Sequence, residues 1–241
     1  MAKPFKEWTV LPHGRLERLE DNILTVIGKL NMPPMGETDR RMTVVRLRDG
    51  RLVIYSAIAL DEPQMKELEA FGKPSFLVVP NGIHRMDARI WKERYPQLEV
   101  IAPSAAAEKV GKVVRVDESE EDFRDRSVRL ITVPGTAERE MALLVDTPSG
   151  STLVINDLIF NLANRPGMKG WLFKKIGMTG DEPHMPPIVK KLTVDDEQVL
   201  GAQLEAWSEL PHLKRVVVSH GPIITDEPRA MLKRIAHELT A

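Results

Sequence analysis

Two kinds of apolar spacing alternate along the chain. Short runs bounded by Pro, Gly, Asn or Asp have the length and β-branched content of strands. They predict strands over Asn22–Leu30, Phe76–Val79, Leu98–Ala102, Val113–Val116, Ser127–Val133, Met141–Asp146, Ser151–Ile155 and Leu213–Ser219. Arg41–Leu47 and Arg51–Ile58 flank Asp49-Gly50, a favoured turn, and predict a β-hairpin. Pro148-Ser149-Gly150 predicts a second hairpin between the later strands. Helical spacing puts Met65, Leu68 and Phe71 on one face after a start at Asp61-Glu62-Pro63. Further helices are expected over Ala88–Tyr95, over Pro103–Val110, from Thr193 or Asp195 to about Leu210, and over Asp226–Leu239. Residues 1–21 read as an irregular arm, 31–40 as a Pro/Gly loop and 117–126 as an acidic, solvated loop. Residues 156–194 show no clear element, and a stretch that long is usually functional or mobile.

Strands occur in both halves, with helices between them and at the ends. The two hairpins demand antiparallel pairs, which disfavours a purely parallel doubly wound sheet. The order fits a single α/β domain over 1–241 built as a four-layer αββα sandwich, with 160–194 as an insertion or lid.

A chain of 241 residues is long enough to bury its own core without cross-links. It has no cysteine, which excludes disulfides, thiolate zinc sites and a Cys nucleophile. With 34 basic and 35 acidic side chains the net charge is −1, so no sequence-wide field favours nucleic acid or an anionic membrane. No signal-peptide core or membrane-length apolar run is present, and a cytoplasmic protein is expected. The segment Gly167–Met178 mixes Met168, Trp171, Leu172, Phe173 and Ile176 with lysines. It reads as a lid, a homodimer contact, a weak membrane-surface patch or an ordinary packing insertion.

Four side chains of metal-ligating type stand just beyond predicted strands. His84 and Asp87 follow Phe76–Val79, Asp157 follows Ser151–Ile155, and His220 follows Leu213–Ser219. Imidazole and carboxylate suit zinc, iron or manganese. Each residue also has an ordinary reading: a hydrogen-bonded turn histidine, a first-turn acid, an Asx turn, loop punctuation. Phosphate-binding glycine loops and the GxSxG nucleophile elbow are absent.

The order of these strand-end residues resembles the metallo-β-lactamase superfamily, over roughly residues 20–225, and is most similar to its degenerate members of unknown function. The similarity is carried by MTVVRLRDGRLVIYSAI, FLVVPNGIHRMD, LITVPGTAEREMALLVDTPSGSTLVINDLIFN and VVVSHGPI. It implies that Asp157 is the bridging aspartate and His220 the final histidine. In the loop that answers to HxHxDH, one register sets Asn81 and Ile83 on the histidines and Arg85 on the aspartate. The other sets Ile83 and Arg85 on the histidines and Asp87 on the aspartate. Thr136 stands near the third-motif histidine, and Ser56 replaces an acid at the end of the first hairpin. The resemblance therefore implies a diverged hydrolase of an ester, amide or phosphoester. It would hold one Zn, Fe or Mn ion through His84, Asp87, Asp157 and His220, or no ion, with Asp87 as ligand or base. The alternative is a non-catalytic module that binds a small molecule or a protein.

Overall fold

The computed structural model describes residues 3–32, 36–117, 123–164 and 166–241. The chain divides into two compact units, Met1–Arg129 and Leu130–Ala241.

The first unit carries a six-stranded sheet in sequence order. Its strands are β1 (Glu17–Glu20), β2 (Ile23–Met32), β3 (Gly36–Arg46), β4 (Arg51–Tyr55), β5 (Lys73–Val78) and β6 (Glu99–Ile101). The first four pair antiparallel, with the predicted hairpin in register Thr43↔Tyr55 around Asp49-Gly50. From β4 onward the pairing is parallel. Helix α1 (Glu62–Phe71) supplies the crossover between β4 and β5, and Asp61 Oδ1 caps it by accepting the Gln64 N–H at 3.0 Å. Helix α2 (Ala88–Arg94) lies between β5 and β6, and α3 (Ser104–Gly111) follows. Leu24, Val26, Met42, Val44, Leu52, Ile54 and Leu77 pack with Met65, Leu68, Phe71, Ile90 and Trp91. The alternate positions Ile23, Thr25, Thr43, Val45, Val53 and Tyr55 are buried as well. Burial of both faces explains why these strands read as nearly continuous apolar runs.

Three expectations change in this unit. Val113–Val116 is not a strand, because the amides of Val113 and Val114 still bond the Val110 carbonyl, so the chain is finishing a helical turn. The irregular arm contains β1, whose ERLE sequence hides an edge strand behind charge. The Pro/Gly loop is mostly strand, since β2 and β3 stay paired out to Met32↔Gly36; its residues 33–35 lie outside the described residues. So do 118–122 of the acidic loop.

The second unit carries β7 (Val128–Thr132), β8 (Met141–Thr147), β9 (Gly150–Val154) and β10 (Leu213–Val217), in spatial order β10-β9-β8-β7. β8 and β9 form the second predicted hairpin, and β9 pairs parallel with β10. Helices α6 (Glu197–Ser208) and α7 (Pro228–Thr240) cover one face through Leu200, Leu204, Trp207, Leu232 and Ile235. Asp196 caps α6 by accepting the amides of Gln198 and Val199, one residue past the nearer predicted start. The stretch without predicted elements holds α4 (Gly167–Lys175) and α5 (Pro187–Thr193). Several of their apolar residues face outward: Met168, Trp171 and Leu172 are 85%, 61% and 50% exposed, and Ile188 and Leu192 are exposed too, while Val189 is buried. A helix whose apolar side is wet gives no core-facing stripe to detect. Among the described residues no helix is long and apolar enough to cross a membrane.

Asp125 gives the first unit a pH dependence. Burial alone would push its carboxyl up, but the Ser127 hydroxyl, the Arg48 and Ser127 amides and the Arg48 charge together hold it below the usual range. A carboxyl with a depressed folded pKa contributes stability above about pH 4 and loses it as pH falls. Asp125→Asn is expected to cost about 1–3 kcal/mol at pH 7. Chemical denaturation should show the gap from the parent closing below about pH 4.

Candidate metal centre

In the second unit the parallel register of β9 and β10 does the placing. Val154 pairs with Val217. Asp157 lies three residues beyond the first and His220 three residues beyond the second. Parallel neighbours end on the same edge of a sheet, so equal offsets bring the two side chains together. His220 Nε2 lies 3.1 Å from Asp157 Oδ1, with side chains only 12% and 10% exposed. One residue earlier, the Ser219 hydroxyl donates to Asn156 Oδ1 and ties the two strand ends again. The Phe160 ring lies against the His220 imidazole at 4.5 Å between centroids, and the Asn161 amide donates to the His220 carbonyl at 2.9 Å.

Gly221 makes that last approach possible. Its φ is +106°, and an added Cβ would fall 1.9 Å from the Asn161 carbonyl oxygen. The His-Gly pair thus sets an imidazole beside Asp157 at 220 and bare backbone against Asn161 at 221.

In the first unit the loop after β5 is organised by Asn81. Its Oδ1 accepts the amides of Ile83 at 2.8 Å and His84 at 3.0 Å, an Asx turn that fixes the His84 backbone. His84 Nδ1 lies 3.0 Å from Ser56 Oγ at the end of β4. Arg85 is committed to carbonyls, reaching Gly82 and Lys109, while Ile83 is 54% exposed. Asp87 turns inward. Its Oδ2 accepts from the Arg40 guanidinium and its Oδ1 accepts the Ala59 amide at 3.0 Å, with the side chain 1% exposed. Burial pushes the Asp87 carboxyl up, against the pull of Arg40 and the Ala59 N–H. Thr136, near the third-motif position, is fully buried and spends its hydroxyl on the Val133 carbonyl at 2.7 Å.

The structure therefore brings Asp157 and His220 together and gives His84 a fixed backbone and a held ring. It occupies both oxygens of Asp87 with Arg40 and Ala59. Sequence reading passed over Arg40, Phe160 and the bond from Ser56 to His84. Only Ser56 carried a signal, its place at the end of a hairpin strand.

No family model matches the sequence, and no curated protein matches it. Solved structures do match in fold. The metallo-β-lactamase FIM-1 from Pseudomonas aeruginosa, in its mono-zinc form, superposes with a TM-score of 0.61 at 10% identity, covering 95% of this chain and 96% of that one. The DIM-1 metallo-β-lactamase gives a TM-score of 0.62 at 13% identity over 95% and 99%. A metallo-β-lactamase from Hirschia baltica gives 0.59 at 13% over 92% and 98%. The chain has the metallo-β-lactamase fold, an αββα sandwich, as its strand-end residues implied.

Two substitutions separate space from charge. Gly221→Ala should cost about 3 kcal/mol or more in unfolding free energy, from clash and a left-handed φ. Asp87→Ala should cost about 3–5 kcal/mol in chelator-treated protein, because it strands the buried Arg40 charge.

Proposed function

We propose that this chain is a diverged metal-dependent hydrolase that holds a single divalent ion through His84, Asp157 and His220. The observation that carries the reading is the Asp157–His220 pair, a largely buried imidazole and carboxylate held side by side at the ends of two parallel strands. In this reading His84, from the loop after β5, is the third donor, as the family resemblance nominates it. Two imidazoles and one carboxylate are a common zinc donor set, suited to iron or manganese as well. The mono-zinc form of FIM-1 shows that a protein of this fold can carry one zinc.

A bound ion would supply Lewis acidity, making water more acidic and polarising a carbonyl or phosphoryl oxygen. The chain's own residues do the rest. Asp157 brings negative charge that offsets part of the ion's. Phe160 shields one face of the His220 ring, and the Asn161 amide fixes the loop that carries it. Asp87 keeps Arg40 satisfied and anchors the start of α2, so in this reading it shapes the loop rather than meeting the substrate. Esters, amides and phosphoesters are the substrates such a centre can attack.

Protein purified without chelator should contain about one Zn, Fe or Mn per chain by elemental analysis. Asp157→Ala and His220→Ala should each abolish that content. Zinc at one hundred times its dissociation constant should add about 2.7 kcal/mol of stability, a rise of roughly 5–10 °C in melting temperature for a chain of this size. Ester or phosphoester hydrolysis should vanish with EDTA and return with metal. A metal-free chain whose melting ignores both EDTA and zinc would overturn the reading and leave the fold as a binding module.

A further inference from the structure

Ser56 is the residue immediately after β4, and it holds a left-handed backbone with φ of +57°. Glycine, asparagine and aspartate adopt that region readily, and serine does so at a cost. Such a conformation persists where its surroundings over-determine it, and it concentrates at functional sites. The surroundings here are explicit. The Ser56 amide donates to the Val78 carbonyl at 3.0 Å, and two residues on, the Ile58 amide meets Met42 Sδ at 3.3 Å. The Ala59 amide then reaches Asp87 Oδ1 at 3.0 Å. These bonds fix the backbone without the hydroxyl. The hydroxyl, on a residue 4% exposed, lies 3.0 Å from His84 Nδ1. Asn81 meanwhile holds the His84 amide. Backbone and ring of one histidine are thus clamped from the ends of two neighbouring parallel strands.

We propose that Ser56 is a positioning residue for His84, its Oγ accepting a hydrogen bond from Nδ1–H so that the ring's one proton sits on Nδ1 and not on Nε2. The partner of one ring nitrogen decides which nitrogen keeps the proton. A histidine that ligates through Nε2 needs an acceptor at Nδ1. The use of that nitrogen rests on the metal-centre reading above, whereas the tautomer itself can be read in protein without metal. Serine differs from an acid in this place because a neutral hydroxyl accepts from Nδ1–H without adding charge beside the ring.

The test uses the full chain with 15N-labelled histidine, chelator-treated, at a pH where imidazole is neutral. Ring 1H–15N correlation should show His84 as the Nδ1–H tautomer. Ser56→Gly accepts the positive φ and lacks the oxygen. It should raise the melting temperature by about 2–4 °C and shift the ring toward Nε2–H. Its zinc affinity, by chelator competition, should fall about 10–100-fold. Ser56→Ala keeps the backbone cost and loses the oxygen, so it should show the same ring change with a lowered melting temperature. Ser56→Asn tolerates the backbone and restores an acceptor, so it should return the parental tautomer. A parent that takes no zinc but shows these ring changes defeats the metal-centre reading and supports the role of Ser56. A His84 ring that is Nε2–H in the parent, or unchanged in both Ser56→Gly and Ser56→Ala, overturns the proposal. Zinc bound as tightly by Ser56→Gly as by a zinc-binding parent overturns it as well.

Discussion

Parallel strand pairing governs which strand-end side chains meet within each unit of this chain. Antiparallel neighbours finish on opposite edges of a sheet, whereas parallel neighbours finish on the same one. Ser56 follows β4, Asn81 and His84 follow β5, Asp157 follows β9 and His220 follows β10. All four strands belong to a parallel pair, β4 with β5 in the first unit and β9 with β10 in the second. Within each unit, then, side chains distant in sequence become neighbours without any dedicated scaffold. The backbone ladder supplies the alignment, and the loop beyond each strand needs only the right length. This is the general rule for ligand positions in sheets with parallel strands, applied here in short segments of otherwise antiparallel sheets.

The buried Arg40–Asp87 pair fixes a different property, the path of the chain around the first of those edges. Arg40 comes from β3, Asp87 stands at the start of α2, and the Ala59 amide belongs to the segment before α1. One carboxylate therefore gathers three elements. A buried ion pair adds little net stability over a well-packed apolar substitute, while its disruption is costly. Arg40 makes that imbalance sharper, because its Nε and Nη2 are buried and find no hydrogen-bond partner among the described residues. The arrangement is better understood as specifying one loop conformation than as adding to the folding free energy.

The strands and amphipathic helices were legible because their apolar faces are buried and so follow the period of the backbone. What was not legible follows from the same physics. β1 is an edge, and its ERLE sequence reads as loop. α4 packs by Gly170 and turns Met168, Trp171 and Leu172 outward, which reverses the usual pattern. Val113–Val116 has strand composition, yet the Val110 carbonyl keeps it in a helical turn. At the site, Asp157 and His220 could be chosen because strand ends are visible in sequence. Asp87 stood out equally well, but sequence does not show that β3 brings Arg40 beneath it. The bond from Ser56 to His84 depends on the sign of one dihedral angle, which no residue pattern near it announces.

The crowding at position 221 sets the terms on which relatives of this chain can diverge. Under the proposed function the imidazole at 220 answers to metal binding, while the hydrogen at the next α-carbon answers to space whatever the function. A lineage without a metal centre would be free to replace the first and still bound to keep the second. The order in which the two are lost across a set of orthologues would therefore record whether a metal centre was ever under selection there.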